Sequence, residues 1–173
     1  MISRNRKKQM DTKMLVKMAM LIALSGIGAM IKIQGSIALD AVPGFYAALL
    51  LGPMAGGIVA FAGHLISALT AGFPMTVPMH LVVAVEMFII VALFSVVWQK
   101  INPWVAIIVG ILLNGVGAGL LVVPMSILLG LPLNGWALFA VIWMPLLIGS
   151  TVNILIAASL YKIMGKGKSV NGN

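Results

Sequence analysis

The sequence predicts an all-α integral membrane protein, a bundle of six transmembrane helices with both termini in the cytoplasm. Three observations carry this prediction. Hydrophobic residues make up 62% of the 173 positions and charged residues 8%, with a mean hydropathy of +1.17. A chain of this length cannot hide so much apolar surface in a water-soluble core, so its solvent is lipid. The basic residues cluster at the ends, with Arg4, Arg6, Lys7, Lys8, Lys13 and Lys17 at the start and Lys162, Lys166 and Lys168 at the finish. That is the mark of cytoplasmic termini; the formal charge of +8 is a topology signal and not a nucleic-acid footprint. Between the ends lie six apolar runs, an even number, separated by glycine, proline or charge.

In chain order the runs place helices at about 14–32, 43–52, 54–72, 79–100, 104–129 and 136–164. The second, from Val42 to Leu51, is about half the ~20 residues of an upright span and makes sense only inside a polytopic bundle. Gly52-Pro53 breaks it from the third. With six crossings every Lys and Arg except Lys32 falls on the inner side, Lys100 included. The outer connections, about 33–42, 73–78 and 130–135, hold Gln34, Ser36, Asp40, Thr76 and Asn134, with Pro43, Pro74, Pro78 and Pro132 at or beside their ends. The whole chain reads as one membrane domain, with a basic segment over 1–13, the bundle over 14–164 and a polar tail over 165–173. The basic start resembles a signal peptide's n-region, but no small-residue cleavage site follows, so it is read as retained. No convincing internal repeat supports an inverted-repeat carrier, and the chain has no P-loop and no soluble domain, so it is not itself an ATP-driven pump.

Polar residues within apolar segments are the functional candidates. Only Asp11, Asp40 and Glu86 are acidic. Glu86 is two turns into the fourth helix and must face protein or a water-filled cavity, neutral, paired with His64 or His80, or accepting from a ligand. His80 precedes it by six residues, about 240° around the helix, so the two form no local pair. His64 is mid-helix, either a satisfied structural histidine or a ligand contact. Asp40 is either an N-terminal helix cap or Asx-turn where the second helix begins, or a ligand contact. Trp136 suits an interfacial anchor, while Trp143, deeper, can stack on a ring. Asn114 opens the run NGVGAG, read first as close helix contact and second as pocket lining. Met75, Met79, Met87 and Met125 suit an adaptable apolar wall. In helix 1, Ala19 and Ala23 are four residues apart, a spacing that lets another helix approach, within the bundle or from a partner.

Several chemistries lack their parts. There is no cysteine, which excludes disulfides and thiolate metal sites. Two histidines and two carboxylates at unrelated spacing make a weak zinc case. Neither H-E-x-x-H nor G-x-S-x-G occurs. The readings left are a binding subunit energised by other chains, a stand-alone facilitator or channel, and a small intramembrane enzyme using Glu86 and a histidine.

Size, helix count, inner termini and the Ala19-x-x-x-Ala23 pattern together resemble the substrate-binding S components of energy-coupling factor (ECF) vitamin transporters, over nearly the whole chain. The stretch SIALDAVPGFYAALLLGPMAGGIVAFAGHLISALTAGFP, followed by PMHLVVAVEM, is most similar to the branch linked to cobalamin and its lower-ligand nucleoside, α-ribazole. The resemblance implies a multi-pass protein of the bacterial cell membrane with no catalytic activity and no cofactor. It implies that Ala19 and Ala23 dock on a transmembrane scaffold subunit carrying two ABC-type ATPases, and that the bundle topples to release its ligand inside. It also implies an outward cavity roofed by loops supplying Gln34, Asp40, Thr76 and Asn134, with His64, His80, Glu86 and Trp143 on the walls. The ligand it implies is α-ribazole, with cobalamin itself or a thiamin precursor as rivals.

Overall fold

Proline, glycine and a few side-chain caps set the ends of the helices. The computed structural model describes residues 11–34 and 37–165. The first ten residues, Gly35 and Ser36, and the tail expected beyond Gly165 lie outside the described residues. Helix α1 (Thr12–Gly28) begins where the Asp11 carboxylate accepts from the Lys13 backbone N–H at 3.4 Å. It stops four residues short of the expected end, because a turn closed by Ile31 N–H on the Gly28 carbonyl redirects the chain.

Reading 33–42 as a plain connection is corrected by the structure. Strands β1 (Lys32–Gln34) and β2 (Ile37–Ala38) pair antiparallel, and a 3₁₀ turn, Leu39–Ala41, runs directly into α2 (Val42–Leu51). Helix α2 turns back at Gly52, whose φ of +98° favours glycine, and Pro53 opens α3 (Pro53–Thr70). The two pack at backbone distance: a β-carbon on Gly56 would run into the backbone of Ala48.

The link from α3 to α4 (Val77–Lys100) contains two non-glycine residues in the left-handed region, Phe73 at φ 51° and Thr76 at φ 73°. That conformation costs energy and persists only where the surroundings enforce it. Asn102 caps α5 (Pro103–Ile111) by accepting from Trp104 N–H at 2.7 Å. Helix α5, a π-helical turn over Leu112–Gly117 and α6 (Ala118–Leu128) form one continuous rod. Helix α7 (Gly135–Gly165) closes the fold.

The rods Pro53–Thr70, Val77–Lys100, Pro103–Leu128 and Gly135–Met164 are long and apolar enough to cross a membrane. Helices α1 and α2 are shorter, at 17 and 10 residues. Large apolar side chains such as Met20, Ile27, Ile89, Ile108 and Ile148 stand exposed around the bundle, as a lipid solvent requires.

Packing distinguishes the two ends of the bundle. At one end Met14 of α1 packs with Leu51 and Ala55 at the α2–α3 corner, and the Lys162 ammonium lies 4.7 Å over the Trp104 ring. The middle is filled by Phe45, Phe94, Val91 and Ile154, with the Phe45 and Phe94 rings edge to face at 5.1 Å. At the other end Met79, Val122, Leu131, Leu138 and Ile142 gather beneath the hairpin and the loops before α4 and α7. This loop-bearing end contains the cavity.

Candidate ligand-binding site

Beneath the β1–β2 hairpin is a cavity of about 200 Å³. Its floor and sides are mostly apolar: Val83 and Met87 of α4, Ala118 and Val122 of α6, and Leu138, Ile142 and Leu146 of α7. Pro74 and Met75 of the α3–α4 loop cover one side. Six polar residues interrupt this wall: Gln34, Asp40, His64, Asn114, Ser150 and Asn153. An apolar pocket with a few placed polar groups is the usual form of a small-molecule site.

Five of these six polar groups are tied to a second element. Asp40 sits in the 3₁₀ turn, 5% exposed, and shares a hydrogen bond with the Ser67 side chain of α3. It does not cap α2, whose N-terminal residue Ala41 has no side-chain cap, so the capping reading is corrected. Burial pushes the Asp40 carboxyl up to about 7 from 3.8, against the opposing pull of its own backbone N–H, the Ser67 hydrogen bond and the Lys32 charge. Lys32 itself donates to the Ser67 carbonyl at 3.4 Å and the Thr70 hydroxyl at 3.3 Å, at the C-terminal end of α3, where the helix dipole favours a cation.

His64 reaches the cavity from α3, and its Nε2 lies 3.2 Å from Nδ1 of His80 on α4. The His80 ring, fully buried, meets the Phe73 ring at 5.7 Å. The π turn presents Asn114, which donates to the Ser150 hydroxyl at 2.8 Å. Asn153 donates to the carbonyls of Gly149, at 2.7 Å, and of Ala38, at 3.0 Å, tying strand β2 to α7. The amide oxygens of Asn114 and Asn153 are buried with no partner among the described residues.

Of the residues singled out from sequence, Gln34, Asp40 and His64 line this cavity, and His80 stands behind His64. Thr76 is exposed, and Asn134, also exposed, uses its amide to close a turn on the Leu131 carbonyl at 2.8 Å. Trp143 stacks on Phe139 at 6.5 Å, in a ladder with Trp136, on a face of α7 away from the cavity lining. Glu86 faces a separate, lateral groove between α4 and the α5–α6 rod, and its Oε2 is buried with no partner among the described residues. A pairing of Glu86 with His64 or His80 is therefore corrected: the histidines pair with each other. Helix geometry gives the reason. Val83 and Met87, one turn apart, share the cavity face of α4, and Glu86 is about 100° away from Met87.

Sequence reading missed Ser150 and Asn153. The available signal was polarity within the last apolar helix at i and i+3, the spacing of one helix face, continued by Leu146 and Ile142.

Fold and cavity together define an integral membrane protein with a small-molecule-sized chamber under its loops. The chain belongs to the ECF transporter, substrate-specific component family, whose model matches residues 13–165. It is thus a substrate-binding membrane subunit that works with an ECF module, and it is not an enzyme. No curated protein and no solved structure matches it.

Proposed function

We propose that this subunit captures a vitamin precursor of nucleoside type, α-ribazole, from outside the cell and passes it inward with the ECF module. In this reading the chain crosses the membrane six times, both termini are cytoplasmic, and the loop-bearing end faces out. The basic residues clustered at the two ends of the chain support that orientation.

The observation that carries the ligand assignment is the cavity. At about 200 Å³ it is smaller than the ~300–1,000 Å³ usual for drug-sized ligands, which favours a compact base-and-sugar molecule over cobalamin, a corrinoid several times larger. Methionine and aliphatic walls suit a flat dimethylbenzimidazole, with Gln34, Asp40 and His64 set among them. Release follows docking: Ala19 and Ala23 are exposed on α1, where a scaffold helix can approach, and the bundle then topples so that the loops open inward.

The test is to purify the protein from cells supplied with cobamide precursors and identify the copurifying small molecule by mass spectrometry. Competition among α-ribazole, cobalamin and thiamin precursors then ranks them. α-Ribazole is expected to copurify and to win; recovery of intact cobalamin or of a thiamin precursor would overturn the assignment.

A further inference from the structure

Glu86 is the only acidic residue within the four spanning rods, and the cavity makes no use of it. It lines the lateral groove between α4 and the α5–α6 rod, a trough of about 700 Å³ whose other lining residues are all apolar. Of its two carboxyl oxygens Oε2 is buried and Oε1 is not, and neither has a partner among the described residues. The trough has the shape of a helix seat. One wall is the ridge of every fourth residue of α4 from Leu81 to Leu93, about 18 Å long at ~1.5 Å per residue, and the other is Leu113, Gly117 and Leu121. Gly117 is a notch in that second wall: a β-carbon there would meet only Leu112 and Leu113 of its own turn, the nearest atom 3.7 Å away. Gly117 and Glu86 lie at similar depth, ~17 and ~14 Å of helix from the loop-bearing ends of their rods.

From this we infer that the groove seats a transmembrane helix of another protein, one carrying a lysine or arginine near mid-span that passes over Gly117 to pair with Glu86. A carboxyl at this depth is costly without an opposite charge, and none faces it among the described residues. An acyl chain fills an apolar trough but brings no donor to mid-depth. A second copy of this chain brings no cation there either. Lys100 ends α4, Lys162 is in the last turn of α7, and every other Lys and Arg is outside the four rods. His64 and His80 are already paired with each other. The glycine notch completes the fit, because a small residue lets a partner helix come close, which is where helices in lipid gain packing energy. This surface is separate from α1, which packs on α2, α3 and the 3₁₀ turn, so both faces can be engaged at once. The inference is independent of the ligand assignment.

The experiment places a photo-crosslinking benzoylphenylalanine at Val85 or Leu121 of the full-length protein, in membranes of the cells that naturally make it. The exposed Ile148 of α7, outside the groove, is the control position. Crosslinked peptides are identified by mass spectrometry. Both groove positions are expected to give one segment, a transmembrane stretch of another chain with a Lys or Arg near its middle, and the control is expected not to. Glu86→Leu, which keeps the groove apolar, is expected to cut the crosslink about tenfold, and Glu86→Gln, which keeps the shape but not the charge, by a smaller factor. Exchanging the charges, Glu86→Lys with the partner's basic residue changed to Glu, is expected to restore it. The unfolding temperature of purified Glu86→Leu in detergent is expected not to fall, which separates loss of the partner from loss of the fold; if it does fall, the charge exchange decides. Crosslinks to lipid alone, to a second copy of this chain or to a segment without a basic residue overturn the inference. So do yields that Glu86→Leu leaves unchanged, and a charge exchange that restores nothing.

Discussion

At the residue scale, Asp40 and the two histidines are single side chains whose surroundings dictate their behaviour. Asp40 sits in the connection before α2 with its carboxyl pushed up to about 7 by burial. The folded protein therefore retains a proton there at pH values where the unfolded chain has lost it. That contribution to stability is fully present below the ordinary value of 3.8 and disappears as pH rises through about 7. Thermal unfolding in detergent is expected to shift to lower temperature between pH 5 and pH 8, and Asp40→Asn is expected to flatten that part of the profile. An unchanged slope in the variant would show that the dependence originates elsewhere. His80 lies outside the cavity lining but holds the His64 ring through the 3.2 Å contact. Replacing it with alanine removes a buried partner, a loss of about 1–3 kcal/mol, and ligand affinity is expected to fall by about tenfold. His80→Asn, whose amide can occupy the place of Nδ1, is expected to recover part of it; titration calorimetry on both variants checks this.

At the scale of elements, the α2–α3 hairpin shows how closely the wall behind Asp40 and His64 is packed. Gly56 leaves no room for a side chain against the Ala48 backbone. Gly56→Leu must push the helices apart, at an expected cost of about 1–3 kcal/mol, visible as a lower unfolding temperature. Because the same hairpin carries His64, ligand affinity is expected to fall in the same variant. The π turn over Leu112–Gly117 is the second decisive element. One extra residue in the turn rotates the helix locally, and π turns recur at functional sites; here it presents Asn114 to Ser150 and the cavity. The helix ends were legible because Pro43, Gly52-Pro53, Pro78 and Pro103 punctuate the chain: α2 was expected at about 43–52 and spans Val42–Leu51. The hairpin and the π turn were not, since three-residue strands and one extra helical residue leave no hydrophobic period to read.

For the whole molecule, the functional question is how a small bundle couples a cavity at one end to a partner. Ala19 and Ala23 are exposed on α1 among exposed Val16, Met20 and Ile27. Ala19→Trp or Ala23→Trp is expected to abolish uptake in cells carrying the ECF module while leaving ligand binding by the purified protein unchanged, since neither residue lines the cavity. Loss of binding in the purified variants would instead place these alanines in the internal packing.

The sequence by itself determined the solvent, the helices and the family, because each rests on local or additive properties: summed hydropathy, the charge at the ends, proline and glycine at the breaks. It also drew attention to Asp40 and His64 through the rarity of polar groups in apolar segments. Only the tertiary structure decided which of those groups meet. Glu86 is the rarest kind of intramembrane residue and was a leading candidate, yet 100° of helix turns it to a lateral groove. Ser150 and Asn153 are unremarkable in a polar-residue count, yet Ser150 accepts a hydrogen bond from Asn114, 36 residues away along the chain, and Asn153 joins the same cavity lining. Which face of a helix looks inward depends on its neighbours, and that is settled by packing among all the helices at once, not by any one of them.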